Sequence, residues 1–72
     1  MSMHYNPGPR ETLEAKELAP HKGYGVDKAW YENEDGDRVT NYFYLVFDED
    51  RDYVGEEYNS LAEAHKAIDS WI

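Results

Sequence analysis

The acidic residues that follow the strongest β-strand signal in the chain have a spacing that could bind calcium. Asp48, Asp50 and Asp52 alternate in the same way as the first three ligands of a calcium-binding loop. Counted from Asp48, the sixth position should be glycine and is Tyr53, and the twelfth should be a bidentate glutamate and is Asn59. The pattern therefore predicts a solvated acidic turn, and we expect neither a metal site nor a cofactor.

Side chains for other kinds of catalysis are sparse. His4, His21 and His65 lie far apart in the sequence, and no serine or threonine stands in a Gly-x-Ser-x-Gly turn. Acid–base catalysis by paired carboxylates needs a dry pocket that separates their pKa values, whereas the carboxylates clustered in the turns of this chain are expected to be solvated. The chain has 0 cysteines and no glycine-rich phosphate loop. We expect that the protein is not an enzyme.

Three stretches of apolar residues predict β-strands joined by tight turns, one of them at Asp35-Gly36. The middle stretch is apolar on both alternations, which indicates a central strand with Phe43, Leu45 and Phe47 on one face. The predicted strands cover residues 24–32, 38–47 and 53–58.

A helix is predicted after the strands. Ser60 and Glu63 match a capping box, and Leu61, Ala64 and Ile68 recur at helical spacing. Residues 11–18 are also good helix formers between two prolines. The sequence thus predicts an α+β fold, a small three-stranded antiparallel meander with the C-terminal helix packed on one face, and it allows a short N-terminal helix. Residues 1–9 are expected to be a flexible segment and residues 10–72 a single domain.

Length and composition exclude several classes of protein. A chain of 72 residues forms one thin core and has no room for a deep catalytic cleft. The aromatic content of 15% is too high for a disordered acidic tail. No apolar run approaches the roughly 20 residues of a membrane helix, and the first residues lack the layout of a signal peptide. We expect a cytoplasmic protein without a membrane partner.

The negative charge is concentrated in one part of the chain. Residues 1–26 are neutral, whereas residues 27–57 carry eight of the nine net negative charges. This balance disfavours direct contact with nucleic acid, whose binding depends on lysine and arginine. It would suit an extended basic partner, such as a protein groove that holds a nucleic-acid backbone. The alternative is that the charge serves only to keep the protein soluble.

Tyrosines near the acidic residues indicate a second contact. If the helix covers Phe43, Leu45 and Phe47, then Tyr42 and Tyr44 face the other way and can form a protein-binding patch. An ordinary half-exposed sheet face is equally consistent with them. The candidate partner-binding residues are Glu34, Asp35, Asp37, Asp48, Glu49, Asp50, Asp52, Glu56, Glu57, Tyr42 and Tyr44.

In its size, acidity and lack of catalytic parts, the chain resembles small proteins of phages and mobile elements, among them anti-CRISPR proteins and DNA mimics that inhibit host defence. The resemblance implies a non-enzymatic inhibitor that occupies a basic, nucleic-acid-handling protein surface. The alternative is a structural or assembly component that docks or self-associates through the tyrosine-rich sheet face. The sequence leaves open whether the protein is a monomer or a dimer.

Overall fold

A computed structural model, which describes residues 6–72, has an α+β fold with an antiparallel sheet and a C-terminal helix. Strands that are consecutive in the chain are neighbours in the sheet, and each pair is antiparallel, so the sheet is a meander. The elements are β1 (Thr12–Glu17), β2 (Gly25–Glu32), β3 (Phe43–Phe47), β4 (Tyr53–Tyr58) and α1 (Leu61–Ser70).

The short N-terminal helix allowed over residues 11–18 is wrong, because this stretch contains β1. All six residues of β1 pair with β2, from Thr12 opposite Glu32 to Glu17 opposite Asp27. A helix of this length is marginal in water whatever its propensity, whereas a strand here satisfies the backbone along the whole of β2. The sheet therefore has four strands and not the three predicted.

The predicted central strand is shorter than expected. β3 begins at Phe43 and not at Arg38, although an isolated bridge still joins Arg38 to Glu32. The turn before it closes on Asn33, whose Oδ1 accepts hydrogen bonds from the N–H groups of Asp35 at 2.9 Å and Asp37 at 3.0 Å. These local hydrogen bonds close a loop that is longer than a two-residue hairpin turn, and β3 begins only after this loop.

The core lies between the sheet and α1. Val26, Val46, Ala64 and Ile68 are fully buried, and Val46 pairs with Val26 on one side and Val54 on the other. Alternation along β3 therefore places Val46 and Tyr44 on the face that α1 covers. The condition under which Tyr42 and Tyr44 would face away from the helix, namely that α1 covers Phe43, Leu45 and Phe47, is therefore not met. These three side chains lie on the opposite face, here called the far face, which also includes Asp27, Ala29, Tyr31 and Tyr53 and, from β1, Leu13, Ala15 and Glu17.

The predicted capping box of α1 is present in a slightly changed form. Ser60 Oγ accepts the N–H of Glu63 at 3.1 Å, as expected. Glu63 Oε2 accepts the N–H of Asn59 at 3.1 Å, one residue before the predicted position. Among residues 6–72, no helix is long and apolar enough to cross a membrane.

The predicted flexible segment, residues 1–9, falls partly outside the described residues, because residues 1–5 are not among them. In the described remainder, the N–H of Glu11 donates to the carbonyl of Gly8 at 3.1 Å. Arg10 Nη1 contacts Glu34 Oε2 at 3.1 Å. The flexibility of the segment stays a prediction.

Candidate partner-binding surface

The turn between β3 and β4 presents carboxylates to solvent. Asp48 Oδ1 accepts hydrogen bonds from the N–H groups of Asp50 at 2.9 Å and Asp52 at 3.0 Å. The Asp48 side chain thus stabilises the turn, and this role explains why an aspartate stands there. The side chains of Glu49, Asp50 and Asp52 remain exposed.

β4 continues this acidic surface along the edge of the sheet. Tyr58 pairs with Tyr44 and Val54 with Val46, so three residues of β4 face a single residue of β3 between these pairs. The extra residues form a bulge at Gly55, where φ is 79°. The bulge is followed by two further acids. The acidic edge, as we call the whole set, consists of Asp48, Glu49, Asp50, Asp52, Glu56 and Glu57.

Arg51 is the positively charged residue of the turn between β3 and β4, and its guanidinium lies at the far face. Its Nη2 lies 3.6 Å from Asp27 Oδ2 and its Nη1 lies 3.7 Å from Glu17 Oε2. The guanidinium also lies over the ring of Phe47, with 4.6 Å between Cζ and the ring centre. Within the described part of the chain, no lysine, arginine or histidine forms an ion pair with any member of the acidic edge. No ion pair among the described residues therefore neutralises its negative charge.

The far face adjoins the acidic edge at Tyr53. This side chain pairs across the sheet with Phe47, their ring centres are 6.0 Å apart, and Tyr53 is 49% exposed. Partial burial, and then the nearby charge of Glu57, raise the pKa of Tyr53 above its usual value. Phe43 and Leu45 extend the apolar surface along β3 and are partly exposed. Among residues 6–72, no helix or strand packs on this face.

The sequence reasoning missed the residues of the far face as a contact surface. The signal lay in β2, because Val26 pairs with Val46 and both side chains are fully buried in the core. The pairing register was needed to use that signal, and the sequence does not give the register.

The two predicted tyrosines do not lie on the far face. The ring of Tyr42 is held by cations of its own chain, with Lys28 Nζ 3.9 Å and Arg38 Cζ 4.4 Å from the ring centre. Tyr44 is half-buried against the core beneath α1. Tyr42 remains 41% exposed, so it is the more accessible of the two.

The other predicted acids lie at the opposite end of the sheet. Glu34, Asp35 and Asp37 belong to the turn after β2, whereas the acidic edge begins beside the first residue of that strand. Eight residues of β2 separate the two groups, which is about 26 Å at ~3.3 Å per residue. Glu34 pairs with Arg10, and Asp35 and Asp37 pair with no cation among the described residues.

Two histidines that are far apart in the sequence stack in the structure. The ring centres of His21 and His65 are 4.0 Å apart, and His21 Nε2 lies 2.8 Å from Asp69 Oδ1. Lys22 Nζ contacts the same oxygen at 2.8 Å. Hydrogen bonds from Lys22 and His21 hold the pKa of Asp69 below its usual value. The cluster joins the loop before β2 to α1.

Asp48, Asp50 and Asp52 each bring one carboxylate oxygen within 4.8 Å of the others, so the turn does gather three potential ligands. We nevertheless predict no specific metal dependence, because Asp48 Oδ1 already accepts two N–H groups and Ca²⁺ needs six to eight oxygens. Melting temperatures in EDTA and in millimolar Ca²⁺ or Mg²⁺ should agree within about two degrees. A shift of ~10 °C that saturates at micromolar Ca²⁺ would contradict this prediction.

The chain matches no protein family model, no curated protein and no solved structure. No activity is therefore carried over from a relative. What indicates a function is the surface itself, an uncompensated acidic edge beside a partly exposed apolar sheet face.

Proposed function

We propose that the protein is a non-enzymatic binding protein that occupies a basic protein surface, of the kind that normally holds a nucleic-acid backbone. The observation that carries the proposal is the acidic edge, whose six carboxylates lack cationic partners among residues 6–72. A lysine- and arginine-rich groove would supply those partners. Inhibition of a host nucleic-acid-binding protein by mimicry of DNA is the form of this function that the resemblance of the sequence favours.

Affinity and association rate would come from different parts of the surface. Uncompensated charge accelerates the encounter with an oppositely charged partner and fixes its orientation. Aromatic side chains at the centre of an interface supply most of the binding energy. Tyr53 and Phe47 lie directly beside the acidic edge, so one partner surface could contact both. Asp35, Asp37 and Tyr42 belong to the same interface only if the partner spans the length of β2.

A second candidate function rests on the far face. Phe43, Leu45 and Phe47 are partly exposed on a regular strand, which is the surface that a structural or assembly component would use for docking. Such docking depends on apolar contact and would change little with salt. Salt dependence therefore separates the two candidates.

The test uses immobilised protein and the basic nucleic-acid-binding proteins that it retains from a cell extract. Retained proteins should be displaced by duplex DNA and should elute when salt is raised from about 50 mM to about 500 mM, because the Debye length falls from over 10 Å to a few Å. Retention that resists both salt and DNA would contradict the proposal and favour docking through the far face.

Charge-neutralising variants locate the contact. Glu56→Gln with Glu57→Gln should slow association with a retained protein about fivefold or more at low salt. Glu11→Gln with Glu14→Gln makes the same change in net charge near the opposite edge of the sheet, leaves the Glu17–Arg51 contact intact, and is the matched control. Asp48 is left unchanged because it holds the turn. Equal effects of the two double variants would mean that only net charge matters.

A further inference from the structure

The outer edge of β1 is a regular strand edge that has no partner among residues 6–72. β1 pairs with β2, and no other described strand lies beside it. Unpaired N–H and C=O groups along such an edge readily bind another strand. The opposite edge of the sheet is protected, because β4 has a bulge at Gly55 and carries Glu56 and Glu57.

Hydrogen-bond alternation determines which backbone groups of β1 point outward. The N–H of Leu18 donates to the carbonyl of Val26 at 2.9 Å, so Leu18 and every second residue before it direct their backbone groups to β2. The remaining residues direct three N–H and three C=O groups away from the sheet. They are Leu13, Ala15 and Glu17.

We propose that this edge binds a second copy of the chain, antiparallel, across a two-fold axis at Ala15. In this register Ala15 faces the partner's Ala15, and Leu13 faces the partner's Glu17. Each facing pair can exchange two hydrogen bonds, because both members have outward backbone groups. All three N–H and all three C=O groups of each copy are then satisfied.

Charge favours this register over its neighbours. Glu14 faces the partner's Lys16, and the two-fold axis generates the same pair a second time. Both pairs stand at non-hydrogen-bonded positions, where the side chains of facing residues are closest. Moving the axis by one residue would place two glutamates or two lysines against each other. Within the described residues Lys16 pairs with no carboxylate and lies opposite Lys28 of β2, so the partner's Glu14 would supply a missing counter-charge.

The overall charge also favours β1 as the contact. Two copies with nine net negative charges each repel one another, but β1 lies in residues 1–26, which are neutral. The product is an eight-stranded sheet, formed from two four-stranded sheets, with an acidic edge at each end. One six-residue edge buries less than the ~1,200 Å² of a stable interface, so the dimer is weak and forms at high concentration.

Disulfide trapping tests the register, since the chain contains 0 cysteines. Facing Ala15 residues would have Cα atoms about 5.5 Å apart, within the range of a disulfide. Leu13→Cys is the matched control on the same strand and face, because the two Leu13 residues would be about 13 Å apart. Under mild oxidation Ala15→Cys should cross-link at least about tenfold faster than Leu13→Cys. Equal rates, or a faster Leu13→Cys, would overturn the proposal.

A charge swap tests the pairing by sedimentation of the full chain at high concentration. Glu14→Lys or Lys16→Glu alone should weaken association at least about fivefold, and the double swap should restore it within about twofold. Glu14→Lys is the decisive single variant, because it lowers the net negative charge and so would favour any association limited only by repulsion. Single variants that associate like the parent, or a double swap that stays weak, would overturn the proposal.

Discussion

Ile68→Ala should lower the free energy of unfolding by about 2–5 kcal/mol, whereas Leu45→Ala should lower it by only about 1 kcal/mol. Ile68 is 0% exposed and packs in the cluster formed with Val26 and Val46. Truncation there leaves a cavity between α1 and the sheet. Leu45 lies on the far face and is partly exposed, so its truncation removes less buried surface.

Urea unfolding followed by circular dichroism measures both values. A domain of 72 residues has a total stability of about 4–10 kcal/mol, so the Ile68 variant should lose a large share of it and unfold at a clearly lower urea concentration than the parent. Phe43→Ala serves as a second far-face control. If Leu45→Ala and Phe43→Ala cost as much as Ile68→Ala, α1 packs on the other side of the sheet.

The sequence was sufficient to predict those elements whose local pattern, such as a cap, an apolar stripe or flanking turns, agrees with the tertiary contacts they make. The helix after Ser60 has both a cap and an apolar stripe, and β4 is bounded by turns on both sides, so both predictions are confirmed. β1 is the opposite case. Residues 11–18 are good helix formers, and their strand conformation depends on pairing with β2, which is a tertiary interaction that local propensity does not contain.

The sequence also could not predict which face of the sheet α1 covers. β3 is apolar on both alternations, so its own pattern fits either choice. The choice depends on the register with β2, which places Val46 opposite Val26 and turns Phe43 and Leu45 to the far face. A shift of one residue would have exchanged the two sets.

For the candidate surface, composition predicted which residues are acidic but not which charges are compensated. Arg51 is adjacent in sequence to Asp50 and Asp52, yet it contacts Asp27 and Glu17. Glu34, in contrast, is paired with Arg10 from a distant part of the chain. The distinction between the free acidic edge and the partly paired turn after β2 is therefore a property of the fold. It makes the acidic edge the better candidate for a basic partner.

Gly55→Ala should be the most damaging glycine substitution in the sheet, with a loss of about 2–4 kcal/mol in the free energy of unfolding. Gly55 has a φ of 79°, and a Cβ there would lie 2.6 Å from Tyr58 Oη and 2.9 Å from Trp71 Cη2. The variant thus combines an unfavourable backbone conformation with two steric conflicts. Gly36→Ala is the matched control, since Gly36 has a φ of 85° and no atom within 4 Å of the added Cβ.

The difference between the two glycine variants isolates the steric part of the cost. Gly36→Ala should cost about 1 kcal/mol, the backbone term alone. Tyr58→Phe removes the atom nearest to the new Cβ, so in a double-mutant cycle it should recover part of the loss caused by Gly55→Ala. If Gly55→Ala costs no more than Gly36→Ala, the rings of Tyr58 and Trp71 are free to move away. The two rings would then not fix the backbone at the bulge, and the position of Glu56 and Glu57 beside Tyr53 would depend on the pairing of β4 with β3 alone.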